Sequence, residues 1–92
     1  MSEPSPDDVC AAFAKRRSKL VVRALDNETV LLEGDAAALE FLGNLLIAQA
    51  RFVTDCGFEI SPTGAGSAIF ATAATSGLYI HRLPCSEHNV KE

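Results

Sequence analysis

Between Ala36 and Val53 apolar residues recur every three or four positions, whereas the shorter apolar runs elsewhere alternate or cluster. Leu39, Leu42, Leu46, Ala50 and Val53 share one helical face, with Glu40, Asn44 and Arg51 opposite. Asp35 stands where an N-cap belongs, and Gly34 before it ends the preceding run. The pattern predicts a helix over 36–53 whose Leu39-to-Val53 stripe lies on a sheet. Phe41, Leu45 and Phe52 widen the apolar arc on one flank and Ile47 on the other. Either an N-terminal helix or a second protein chain covers the Phe flank, which is therefore a candidate apolar interface.

Upstream, "KLVVRAL" (19–25) and "ETVLLEG" (28–34) are apolar and β-branched, with a short polar break at Asp26 and Asn27. Those two residues tolerate the positive φ of tight turns, so the pair reads as an antiparallel hairpin. "CGFEIS" (56–61) and "GLYIHRL" (77–83) read as further strands, the second closed by Pro84. At the start, Ser5, Pro6, Asp7 and Asp8 form the opening of a helix, with Val9, Ala12 and Phe13 as its stripe and Lys15, Arg16 and Arg17 at its end.

The expected fold is α+β: an antiparallel sheet of four or five strands in the order β-β-α-β-(β)-β, packed against one long helix, with a short N-terminal helix. Residues 1–5 are expected to form a flexible tail, 6–84 a single domain and 85–92 a polar C-terminal tail. The bracketed strand is "SAIFATA", which follows the glycine-containing "SPTGAGSA" (61–68). A phosphate-cradling loop needs a strand, then glycines, then a helix N-terminus, usually with a lysine. No basic residue lies between Arg51 and Arg82 and GxGxxG spacing is absent, so the segment reads as a turn.

Ninety-two residues suit one domain, and at 48% apolar and 22% charged the chain is composed like a globular protein rather than a disordered one. No apolar run approaches the roughly 18 residues of a membrane span. "MSEPSPDD" lacks the basic-then-apolar order of a secretory signal, so a cytoplasmic location with no membrane role is expected. The net charge of −4 disfavours nucleic-acid binding and suits either solubility or a basic partner protein. The one basic cluster, "KRRSK" (15–19), has no aromatic stacking platform beside it.

Catalytic and metal chemistry find little support. Cys10, Cys56 and Cys85 are odd in number and irregularly spaced, which implies no disulfide framework. Cys85 and His88 have pair spacing, but the second pair of a zinc site is missing. Cys56, His81 and Asp55 supply nucleophile, base and carboxylate types without any motif that joins them, and no G-x-S-x-G elbow occurs. No catalytic residue, cofactor or metal is therefore assigned.

From Thr29 to Leu83 the run "TVLLEGDAAALEFLGNLLIAQARF…GFEISPTG…SGLYIHRLP" resembles the immunity protein 32 family of bacterial polymorphic toxin systems. The resemblance rests on "LEGD" leading into a Leu-rich helix, a strand ending in "SP", a small-residue stretch and the final "SGLYIHRL". It implies a non-enzymatic cytoplasmic inhibitor that binds a toxin domain through protein–protein contact. Acidic and polar residues that would meet a basic toxin surface are Glu33, Asp35, Glu40 and Asn44 near the helix, or Asp55 and Glu59 in the second half. The alternative is a stand-alone interaction domain, as a homodimer through the Phe41/Phe52 flank or a strand edge.

Overall fold

A computed structural model describes residues 4–85. The elements are α1 (Pro6–Ala14), β1 (Val21–Ala24), β2 (Val30–Glu33), α2 (Ala36–Arg51), β3 (Gly57–Ile60), a 3-10 turn at Ser67–Ile69 and β4 (Leu78–His81). The α+β class expected from the pattern is therefore present. The single sheet of four or five strands is not: β1 pairs with β2 and β3 with β4, giving two separate two-stranded antiparallel sheets.

The inner edge of β1 explains why the sheets stay apart. It is occupied by irregular chain from the region expected to form the bracketed strand. Leu20 N–H donates to Ile69 O (3.0 Å), Ala71 N–H to Leu20 O (2.9 Å), and the amides of Thr75 and Ser76 both donate to Val22 O (3.1 and 3.0 Å). Only an isolated parallel bridge, Leu20 to Phe70, survives as ladder. The backbone groups of β1 are satisfied without a regular neighbour, and no position remains for β3 or β4.

The hairpin loop also differs from the tight turn expected at Asp26 and Asn27. Gly66 is the one residue with positive φ among the described residues. The Asp26 carboxylate instead accepts from the amides of Glu28 and Thr29, both at 2.8 Å, closing a longer loop with its side chain. In "SPTGAGSA" the amides of Gly64 and Ser67, and that of Ile69 just after it, bond to carbonyls of the segment, and that of Thr63 bonds to Ser61 Oγ. Gly66, at φ 78°, supplies the left-handed residue this winding requires. The segment is a turn, as its composition indicates.

α2 starts at the expected cap, with the Ala38 amide donating to Asp35 Oδ1 at 3.0 Å. Of the expected stripe it buries Leu42 alone. Ala38, Phe41, Leu42, Leu45, Ala48 and Gln49 are buried, whereas Leu39, Leu46 and Ala50 are exposed, as is Val53 just past the helix. The buried side lies about a third of a turn from the Leu39–Leu46 line, since successive residues are about 100° apart. It is α1, rather than a sheet, that α2 mainly packs against. Phe13 and Phe41 stack with ring centroids 4.3 Å apart and 7° between their planes. Around this stack the core gathers Cys10, Leu20, Val22, Leu42, Leu45, Ile60, Ile69 and Phe70.

Of the two coverings open for the Phe flank, the N-terminal helix is the one found. Phe41 and Leu45 are therefore core residues, 4% and 0% exposed. Phe52 stays half-buried at the helix C-terminus.

Cys56 and Cys85 form a disulfide with Cα atoms 5.9 Å apart, correcting the expectation that the cysteines are unpaired. Their 29-residue separation hides the relation. β3 and β4 are antiparallel with Gly57 level with His81, so the residue before β3 and the segment after β4 meet at one end of the ribbon. Cys85, placed by its polar surroundings in the tail, is thereby tied to the domain. The rest of that tail, with His88, and the first three residues lie outside the described residues.

Candidate functional site

Between α1 and α2 lies an open groove of about 460 Å³. Val9, Ala12 and Phe13 of α1 and Phe41, Ile47 and Ala48 of α2 provide its apolar lining. Asp8 and Arg16 stand on one rim, and Glu40, Asn44 and Arg51 on the other. Alanines at 12, 37 and 48 have too little side chain to fill the space between the helices.

Each wall is anchored by its own sequence. Ser5 and Asp8 form a reciprocal capping box, with Asp8 N–H to Ser5 Oγ and Ser5 N–H to Asp8 Oδ2 both at 3.1 Å. Pro6 occupies the first turn, where a missing N–H leaves no bond unmade. At the other wall, Asp35 caps α2 and also accepts from Ser18 Oγ at 2.7 Å, joining the segment after α1 to the start of α2. Lys19 Nζ donates to Ala68 O at 2.6 Å and reaches Ala14 O at 3.5 Å, so it ties the α1 end to the 3-10 turn. That lysine belongs to the basic cluster 15–19 and has a structural partner inside the chain.

Of the expected partner-binding residues, the groove unites Glu40 and Asn44, with Phe41 in its floor. Asp35 is engaged as a cap. Glu33 ends β2, Asp55 accepts from the Gly57 amide at 3.4 Å, and Glu59 faces Tyr79 across the second sheet. These four lie outside the groove. Asp8, Arg16, Ile47 and Arg51 were not among the expected residues. The signal for them was the stripe of the first helix, which needed a partner helix to become one side of a groove.

Two ionisable groups are displaced from their ordinary behaviour. Burial, reinforced by the neighbouring Asp7 carboxylate, pushes the Cys10 thiol up to about 11, so it is a neutral core residue rather than a nucleophile. The Ser18 hydroxyl and then the Ala38 amide hold the Asp35 carboxyl below 3.8, against an opposing desolvation and with lesser help from Arg16 and the Ala37 amide. Because the folded value is the lower one, the ionised cap stabilises the fold above 3.8 and that contribution is lost as pH falls through the folded value. Urea midpoints measured from neutral pH downward should drop on this acid limb, and Asp35→Asn should flatten it. An unchanged limb in the variant would mean the cap is not titrating.

Cys56 is a disulfide sulfur, and no group of three or more His, Cys, Asp or Glu suited to a metal occurs among the described residues. His81 lies on the exposed side of β4, stacked on Tyr79 at 5.9 Å. No helix in the described residues is long and apolar enough to cross a membrane. Comparison with known proteins finds no matching family model, no similar curated protein and no similar solved structure.

Proposed function

We propose that this chain is a non-enzymatic binding domain that receives a segment of a basic protein in the α1–α2 groove. The observation that carries the reading is the groove itself: an apolar floor of two stacked phenylalanines and alanines, bordered by charges of both signs. Such a surface suits a segment that inserts an apolar side chain and pairs polar groups at the rim. The net charge of −4 steers a basic partner toward the domain. Neutralisation of a toxin domain, implied by the resemblance of residues 29–83 to immunity proteins, is the specific form of this activity that we favour.

The partner recovered from the native cell provides the test, titrated calorimetrically against the wild-type chain and two groove variants. Ala12→Arg fills the groove from an exposed position on α1, and Glu40→Lys reverses a rim charge. Each should weaken binding by roughly tenfold or more, the scale of a central interface residue, with the thermal midpoint unchanged. If the partner is a toxin, co-expression of the wild-type chain should restore growth that the variants do not. Full affinity in both variants would remove the groove from the reading.

A cytoplasmic site of action fits the sequence pattern, but the Cys56–Cys85 bridge weighs against it. Disulfides persist in oxidising compartments and are kept reduced in the cytosol. We therefore favour an oxidising compartment for the binding event, a departure from the cytoplasmic location that the resemblance implies. Thiol trapping on cells lysed in acid should find one alkylatable cysteine after denaturation; three would return the protein to the cytoplasm.

A further inference from the structure

α2 has a second apolar face that nothing in the described chain covers. Leu39, Leu46 and Ile47 are 47%, 48% and 51% exposed, with Ala36, Gly43 and Ala50 exposed among them. Gly43 is the anomaly. It sits mid-helix without positive φ, and a Cβ built on it would meet nothing within 4 Å. Glycine at such a position weakens a helix relative to alanine and gains no room from its own fold. What it does permit is close approach of another backbone.

The spacing shows what kind of backbone. Ala36, Leu39, Gly43, Leu46 and Ala50 follow the alternating three–four interval of a helix-pairing seam, and small and large side chains alternate along it. Laid antiparallel on a second copy about a two-fold axis near Asn44 and Leu45, the seam complements itself. Leu39 then meets Ala50 of the other copy and Leu46 meets its Gly43. A parallel pairing would set leucine on leucine and glycine on glycine, leaving crowded and hollow layers in turn. The charges favour the same arrangement. Glu40 and Arg51 flank the same side of the seam toward opposite ends, so the antiparallel pair brings unlike charges level on that side, whereas a parallel two-fold carries the two copies' charges to opposite sides of the seam and pairs none of them. A surface that complements itself under a two-fold rotation is what a closed dimer requires.

We propose that α2 pairs antiparallel with α2 of a second copy of this chain through Leu39, Gly43, Leu46 and Ala50. This pairing uses a face beside the groove, with Ile47, Glu40 and Arg51 at the border of the two, and differs from a dimer through Phe41, which is buried. A 16-residue helix is about 24 Å long, and a stripe about 10 Å wide covers on the order of 240 Å² per copy, well below the roughly 800 Å² of a stable partner surface. The dimer is accordingly weak and in rapid exchange.

Sedimentation of the disulfide-intact chain from about 10 µM to about 1 mM should show a monomer giving way to a dimer. Gly43→Leu fills the notch and Leu46→Glu charges the seam; each should weaken association by about tenfold or more while helical circular dichroism is retained. Gly43→Ala is the control for helix strengthening and should keep most of the association. Register is read by oxidative cross-linking: Leu39→Cys mixed with Ala50→Cys should link across copies faster than either variant alone. A chain monomeric at about 1 mM, a dimer indifferent to both Gly43→Leu and Leu46→Glu, or faster self-linking by either cysteine variant would overturn the proposal.

Discussion

Leu45→Ala should lower the unfolding free energy by roughly 2–5 kcal/mol, whereas Leu46→Ala, one residue along, should cost under about 0.5 kcal/mol. Leu45 is 0% exposed, in the middle of the core face of α2, with the stacked Phe13–Phe41 pair in the same core. Rings stacked on each other cannot readily collapse into the space a truncation leaves. The cost is therefore the lost transfer energy of the removed carbons together with that of a residual cavity. Leu46 is half in solvent already, and its replacement by alanine improves helix propensity slightly while removing little buried surface. Urea denaturation at low micromolar protein, where α2 is unpaired, measures both variants. Equal losses, or the larger loss at Leu46, would return α2 to the face that its Leu39–Val53 periodicity suggests.

The second large effect belongs to the disulfide. Replacing Cys56 and Cys85 together by serine should cost about 3–4 kcal/mol in the chain-entropy picture, because the bridge closes a loop across a 29-residue separation in the unfolded chain. For a domain of this size that is a large share of an expected total of roughly 5–14 kcal/mol. Each kcal/mol is worth roughly 4–8 °C in melting temperature, so the loss is plain in a thermal scan. The native surroundings are built for the bridge. Gln49, 1% exposed, donates through Nε2 to the carbonyls of Cys56 (2.7 Å) and Asp55 (3.3 Å), and the Arg82 amide donates to Cys56 O at 2.9 Å. Arg82 Nη2 donates to Phe52 O at 2.8 Å, tying the chain after β4 to the end of α2. Reduction of the wild-type bridge should reproduce the double-serine melt. A reduced chain, verified by thiol count, that melts where the oxidised one does would mean the hydrogen bonds alone hold this end.

The groove and the bridge differ in how far the residues announced them. Ser5-Pro6-Asp7-Asp8 and Asp35 are local signals, since a cap needs only a side chain within three residues of the amide it accepts from, and both helices begin where these signals stand. Leu78 and Ile80 turn inward on β4 while Tyr79 and His81 turn outward, as alternation demands. Glu40 and Asn44 were legible as polar residues on one side of α2, but their place on a groove rim depended on where α1 would dock.

Local chemistry thus determined where the helices start, which four segments extend, that "SPTGAGSA" turns, and that the class is α+β, but not that "SAIFATA" would give up its expected strand for a 3-10 turn and irregular chain. Tertiary structure alone decided the partners of those elements. α2 is apolar over so wide an arc that two different faces satisfy helical periodicity, and the choice between them fell to the Phe13–Phe41 stack. The edge of β1 could be filled by any chain offering amides and carbonyls at the right spacing, and residues 69–76 fill it in place of a strand. Cys56 found Cys85 because antiparallel pairing folds distant residues to one end of a ribbon. Periodicity specifies which residues share a face, but the free energy of burial is collected only when a second surface arrives.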